Sequence, residues 1–233
     1  MSDRPYTTLS CVVSIDGYLD DASNRRLVLS NPADLDRVDE VRASCDAILV
    51  GANTIWRDNP SLLVRSVSRR DDRVARGLPA SPAKVAVTAR GDIDPTLRFF
   101  ADGNAERIVY CTSTALSKAE ERLGDAAAVV DAGDPIDLRR LLADLATRGV
   151  GRLLVEGGGS IHTQFLTEGL ADELQLVIAP AFVGDPRAPR FIDDGTFPSR
   201  ETSGIRLAEV RQLDDLVLLR YALSDRYGAT PPR

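Results

Sequence analysis

At 233 residues the chain is long enough to bury a substantial core, either as one large domain or as two small ones. It is 43% hydrophobic and 27% charged with a formal net charge of −6, the composition of an ordinary globular protein, and it lacks the basic excess that nucleic-acid binders present. The longest nearly apolar run, 174–184, holds Gln175 and Pro180 and is about half of what a membrane helix needs, so neither nucleic acid nor membrane is an expected partner.

Residues 6–15 are rich in Thr, Val, Leu and Cys and predict a strand, with Asp16-Gly17 as the turn that ends it. Asn31 reads as a helix N-cap with Pro32 at the first helical position and Asp34 in the first turn, for a helix running to about Ser44. Residues 47–50 predict a buried strand, and Gly51 opens a loop or short helix that ends near Pro60. The stretch from Ser66 to Pro82, with Arg69, Arg70, Arg73 and Arg76, reads as a polar surface connection whose arginines are solvated, and it is the sole candidate linker in the first half. Strands follow at 84–88, 107–111 and 126–131, with a helix at 115–123. Asp134-Pro135-Ile136-Asp137 reads as a second capped helix start, with Leu138, Leu141, Leu142 and Leu145 as the apolar face and Gly149 as the stop. After a glycine-rich unit at 153–162, strands are predicted at 173–180, 205–210 and 216–221, with a Gly/Pro loop at 184–198 and a frayed tail at 225–233.

Strands and helices alternate through residue 170, which implies a parallel sheet with helices on both faces. The last three strands have no helices between them and should pair antiparallel at one edge. The expected fold is therefore α/β, a single domain over 1–224 with a mixed, mostly parallel sheet.

Leu153-Leu154-Val155-Glu156-Gly157-Gly158-Gly159-Ser160-Ile161-His162 carries the strongest chemical signal. A buried strand runs into three glycines and then into a helical pattern, an arrangement that lets backbone approach a ligand and aims free N–H groups at it. Phosphate is the usual guest, so the turn reads as a nucleotide diphosphate site, with Glu156 pointing at a second ligand. Its spacing is not G-x-G-x-x-G, and it does not fall in the first strand–helix unit, which counts against a standard dinucleotide-binding fold. Arg42 falls on the same helical face as Leu35, Val38 and Cys45 and so projects toward the core. A guanidinium there needs an anion, which is either a carboxylate of the protein or a ligand phosphate, unless the side chain snorkels to the edge. Thr54 and Asp58 share one face of the predicted short helix at the end of a strand, where ligands of parallel sheets bind; capping and turn chemistry is the competing reading. Asp16-Gly17 reads as a turn alone.

Cys11, Cys45 and Cys111 form no close pair, and no secretory leader is evident, so reduced thiols and a cytoplasmic protein are expected. With His162 as its single histidine and no Cys-x-x-Cys, the chain is expected to hold no metal.

Taken together, Ser14-Ile15-Asp16-Gly17, Asn31-Pro32 with Arg42, Asp46-Ala47-Ile48-Leu49-Val50-Gly51 with Thr54, Asp58, Pro60, Leu62 and Arg65, Glu156-Gly157-Gly158-Gly159, Asp172-Glu173-Leu174, and Ile178-Ala179-Pro180 with Gly184 resemble the reductase domain of riboflavin biosynthesis over about residues 6–222. The resemblance implies a dihydrofolate-reductase-like fold, NADPH as cofactor, a homodimer, and reduction of the ribosyl group of a pyrimidine ribosylamine 5′-phosphate to a ribityl group. By position, Arg42, Leu62, Arg65 and Glu156 would line the substrate site. Val12, Thr54, Asp58 and the run Gly157, Gly158, Gly159, Ser160, Ile161, His162 and Gln164 would meet the cofactor, with Thr88 and Arg90 at its adenosine end. Asp58 and Glu156 would be the catalytic carboxylates. The bifunctional relatives carry a preceding deaminase domain; here the chain starts at the reductase, so deamination is not expected. Arg26 and Val28 stand where those relatives have Ser and Trp, which places a charge at a substrate contact. That departure keeps two alternatives in view: a pterin, dihydrofolate or secondary-metabolism reductase of the same fold, and a non-catalytic NADPH-binding protein.

Overall fold

The computed structural model describes residues 3–23, 26–198 and 204–228. In chain order the elements are β1 (Tyr6–Ser14), α1 (Pro32–Ser44), β2 (Ala47–Gly51), α2 (Ala52–Asp58), α3 (Val67–Ala75), β3 (Ala83–Thr88), α4 (Arg98–Ala101), β4 (Arg107–Cys111), α5 (Leu116–Leu123), β5 (Ala128–Asp131), α6 (Leu138–Thr147), β6 (Arg152–Val155), α7 (Gly159–Thr167), β7 (Glu173–Ala179), β8 (Arg206–Leu213) and β9 (Leu216–Ala222). The architecture is α/β, mostly parallel, with antiparallel C-terminal strands, as the alternation of elements implies.

The elements fall into two compact units, one spanning Asp39–Leu154 and the other combining Tyr6–Val38 with the chain from Val155 onward. In the first, the strand order is β5-β4-β3-β2-β6. β2, β3, β4 and β5 are parallel, with Val50 opposite Ala86, Ala86 opposite Val109 and Val109 opposite Val129. Every residue of β2 is buried, and its aliphatic side chains share a core with Ile55 of α2, Leu62, Phe99 of α4 and Leu154 of β6. The Asp46 carboxylate accepts from the N–H groups of Gly151 at 2.9 Å and Arg152 at 2.8 Å, which fixes the start of β6 beside β2. In the second unit the order is β1-β7-β9-β8, with β1 and β7 parallel and the β7–β9 and β9–β8 pairs antiparallel.

Three expectations need correction. Residues 66–82 are not an irregular connection: they contain α3, capped by Ser66 Oγ, which accepts from the Arg69 N–H. Arg73 is not solvated either. It is 1% exposed and donates to the carbonyls of Pro79, Ala43 and Cys45 at 2.7–2.9 Å. A buried guanidinium satisfied wholly by backbone oxygen leaves no trace in a polar run. The second helix start is capped not by Asp134 but by Asp137, whose carboxylate accepts from the N–H groups of Arg139 and Arg140. Of the expected tail, 229–233 lies outside the described residues, and Arg226 is held by Asp172 at 3.1 Å.

Helix α1 is the third case. Asn31 caps it as expected, its Oδ1 accepting from the Asp34 N–H at 2.9 Å. Yet Leu35 is 37% exposed, while Asp34, Arg37 and Asp39 are buried. The core-facing arginine is Arg37, not Arg42. It is gripped by Asp34 at 2.8 Å and by Gln175 Oε1 at 2.6 Å, within the second unit. Removing one partner of such a pair strands the other charge in a dry interior. Arg37→Met should therefore cost about 3–5 kcal/mol of stability, read as a fall in the urea midpoint, with Asp34→Asn/Arg37→Met recovering part of the loss.

Candidate functional site

In the first unit the candidate residues sit at the carboxyl ends of β2 and β3. Gly51 passes directly into α2, so Thr54 and Asp58 lie four residues apart on a single face of one short helix. Asn59 stops that helix in the left-handed conformation, φ 43°, and its side chain accepts from the Arg98 N–H at 2.7 Å. Three residues on, Leu62 also has positive φ, 50°, and is 2% exposed. A leucine rarely takes this conformation, and here core burial of the side chain holds it there. What Leu62 can turn toward a ligand is backbone, not side chain.

Helix α1 anchors the segment that follows. Asp39 accepts from the backbone N–H groups of Arg65 and of Ser66 (3.1 Å), and from the Arg69 guanidinium (3.1 Å). Burial works against this carboxylate, but those three donors outweigh it and hold its pKa below 3.8. Arg42, half-buried, donates to the Leu63 carbonyl at 3.2 Å. The side chain of Arg65 stays exposed. Arg42, on α1, thus lies against the segment that carries Leu62 and Arg65.

At the end of β3, Thr88 is buried, and its hydroxyl accepts from the N–H groups of Arg90 and Gly91, both at 3.2 Å. Thr88 therefore shapes the turn that presents Arg90. The Arg90 guanidinium lies 4.9 Å over the Trp56 ring of α2. Sequence reading passed over Trp56, although a lone tryptophan on the same short helix as Thr54 and Asp58 was the available signal.

In the second unit the glycine turn has the predicted form. Gly158 takes φ 48°, ψ 150°, a conformation essentially confined to glycine. Gly159 lies so close to the chain that an added Cβ would come within 2.2 Å of the Arg190 carbonyl oxygen. No side chain caps α7, and its first internal bond runs from the His162 N–H to the Gly158 carbonyl. The N–H groups of Gly159, Ser160 and Ile161 are therefore the free donors of a helix start. Glu156 is half-buried before them, and Gln164 Nε2 reaches Ser160 Oγ at 3.4 Å on the outer face.

The side chains of Ile161 and His162 are buried behind the turn. The His162 ring faces Phe191 at a centroid distance of 6.3 Å. Burial lowers its pKa from 6.5 to about 4, and the backbone of Val155 and Phe191 opposes this weakly, short of hydrogen-bond geometry. Val12 is in register with Val177 in the β1–β7 pair and packs on the cluster formed by Val177, Leu213 and Leu218. Arg26 is exposed.

Residues 5–219 match the RibD C-terminal domain family. The 2,5-diamino-6-ribosylamino-4(3H)-pyrimidinone 5′-phosphate reductase of Archaeoglobus fulgidus is 32% identical over 194 residues, covering 83% of this chain and 89% of that protein. The enzyme of the same name from Methanothermobacter thermautotrophicus is 35% identical over 205 residues, covering 88% and 90%. In fold, the chain is similar to RibD of Acinetobacter baumannii, with TM-score 0.78 at 24% identity over 96% of this chain and 59% of that one. The likeness extends to dihydrofolate reductase of Enterococcus faecalis, with TM-score 0.52 at 12% identity over 94% and 97%.

The buried imidazole has a measurable consequence. Because the folded state holds His162 neutral down to about pH 4, the unfolded chain binds the extra proton between there and pH 6.5. Stability should fall as pH drops through that window, at up to about 1.4 kcal/mol per pH unit from this group. His162→Gln should flatten the dependence in urea titrations at pH 7, 5.5 and 4.5.

Proposed function

The chain belongs to the RibD C-terminal domain family, and we propose that it is an NADPH-dependent reductase of riboflavin biosynthesis, converting the ribosyl group of a pyrimidine ribosylamine 5′-phosphate to a ribityl group. The observation that carries this reading is the similarity to two pyrimidinone phosphate reductases along nearly their whole lengths.

The residues present suit a phosphorylated nicotinamide cofactor. The uncapped N–H groups at the start of α7 suit a diphosphate, and no carboxylate caps that helix start. Arg90, stacked on Trp56 and 3.4 Å from Asp92, offers a guanidinium to a 2′-phosphate. By the resemblance, Thr54 and Asp58 would contact the cofactor, and the backbone of Val12 its nicotinamide side. When bound, the cofactor supplies hydride.

The protein's own part is alignment and proton handling. Arg42, on α1, and Arg65, on the segment whose backbone Asp39 holds, bind the substrate's 5′-phosphate; the Arg42 guanidinium rests on the Leu63 carbonyl, so the two residues are neighbours before substrate arrives. The strained backbone at Leu62 shapes the same segment. Glu156 accepts hydrogen bonds from the pyrimidine N–H groups or the ribose hydroxyls. Asp58 would deliver a proton to the ring oxygen as the C1′–O bond breaks and the nitrogen lone pair forms the C1′=N bond; reduction at C1′ would return that pair to nitrogen. Arg26, exposed, would meet the substrate's polar end.

The homodimer reading is supported by β8, where Leu207 and Val210 are 52% and 60% exposed on an edge strand. The cytoplasmic reading is supported by the three free cysteines. No described helix is long and apolar enough to cross a membrane.

Absorbance at 340 nm should fall when the protein is mixed with NADPH and the ribosylaminopyrimidine phosphate, and should hold steady with dihydrofolate. Oxidation with dihydrofolate alone, or with neither substrate, would overturn the proposal. Arg42→Met should raise the substrate KM at least about tenfold while leaving the urea midpoint unchanged, since the lost interaction is a charge-assisted phosphate contact. An unchanged KM would remove Arg42 from the phosphate site.

A further inference from the structure

We infer that Asp16 is a positioning residue for the glycine turn: it holds one end of the 181–191 segment, whose other end forms the floor beneath Gly159. This rests on the reading of that turn as the cofactor's diphosphate site. Asp16 ends the turn after β1, and its half-buried carboxylate gathers three donors. Ser14 Oγ donates at 2.6 Å, and the backbone N–H groups of Val183 and Gly184 donate at 3.1 and 2.8 Å. The Ser14 hydroxyl, then the two backbone donors, hold its pKa below 3.8. The Ile15 N–H adds a bond to the Ala181 carbonyl at 2.9 Å.

The far end of the segment returns to the same turn. The Phe191 N–H donates to the Gly17 carbonyl at 3.2 Å, and the Leu19 N–H donates to the Pro189 carbonyl at 2.9 Å. Arg190 stacks on the Tyr18 ring at 4.7 Å and donates to the Tyr18 hydroxyl at 2.9 Å. The carbonyl of Arg190 is the group a Cβ on Gly159 would strike, and Phe191 faces the His162 ring.

A segment with no helix of its own is thus pinned at both ends to 14–19 and fills the space under the first turn of α7. Its position sets where the N–H groups of Gly159 and Ser160 point. A neutral amide at 16 substitutes only in part: its single oxygen would serve the Val183 and Gly184 N–H groups while its N–H₂ group turned to Ser14 Oγ, and the negative charge that strengthens all three bonds would be lost. Releasing the 181–184 end leaves Arg190 and Phe191 held by the weaker half of the frame and blurs the aim of the turn.

The test is Asp16→Asn, with Ser14→Ala as a milder loosening of the same carboxylate, each compared with the wild-type chain. NADPH alone is titrated by its fluorescence, steady-state constants are measured, and amide hydrogen exchange is followed. Asp16→Asn should weaken NADPH binding and raise its KM about tenfold with kcat within about twofold, the signature of lost uniform binding. Ser14→Ala should give a smaller change of the same kind. Exchange should quicken at Val183 and Gly184 and also at Phe191, Gly159 and Ser160. Wild-type NADPH affinity in both variants, or faster exchange confined to 183–184, would overturn the inference while leaving the proposed function intact. If Asp16→Asn does not fold, the Ser14→Ala result decides. A wild-type chain that does not bind NADPH would sink the functional reading and this inference with it.

Discussion

Helix α1 is built around buried carboxylates, and the arrangement of this protein follows from the need to satisfy them. Asp34 and Asp39 are buried on a helix whose leucine, Leu35, points outward. An unpaired carboxylate in such a place is far costlier than any gain from helix propensity, so each must find donors within reach. Asp34 takes Arg37, which in turn reaches Gln175 of β7. Asp39 takes the backbone of Arg65 and Ser66 together with Arg69. Arg37 is thereby tied to β7 within the second unit, and Asp39 to the 65–69 segment within the first, through bonds that are directional where apolar packing is not.

The same logic of pre-placed donors recurs at the glycine turn. Helix α7 begins with no side-chain cap, so its first N–H groups stay available. The turn tolerates this because Gly158 adopts a conformation closed to other residues and Gly159 lets the Arg190 carbonyl come up against its backbone. Behind it, His162 is kept neutral by burial. Both halves of the proposed chemistry thus rely on groups held rigid by neighbours that never touch a ligand, which lowers the entropy lost when substrate and cofactor are ordered.

Alternation of elements, caps and glycine stops were legible because they are local. Asn31 caps α1, Leu138, Leu141, Leu142 and Leu145 are buried on α6, and β7 precedes two helix-free strands that pair antiparallel, each as the residue pattern implies. The misreadings share a cause. Arg73 looked solvated because its partners are the carbonyls of Ala43, Cys45 and Pro79, and backbone oxygens carry no residue identity. A helical wheel over α1 points to Arg42 because it ranks faces by hydrophobicity, whereas this helix turns Asp34, Arg37 and Asp39 inward. Asp16 read as one more turn residue because its acceptors' use depends on Val183 and Gly184, which lie 167 and 168 positions along the chain.

The sequence by itself determined the α/β class, the order of elements, the presence of an uncapped glycine turn after β6 and the family to which the chain belongs, since each is written in short-range spacing or in many small matches along the chain. The tertiary structure alone decided which charged groups are partnered, which face of α1 is buried, and which side chains at the glycine turn are buried. Those outcomes depend on hydrogen bonds between distant segments, and a donor's partner is set by where the backbone brings an oxygen, not by the residues beside it.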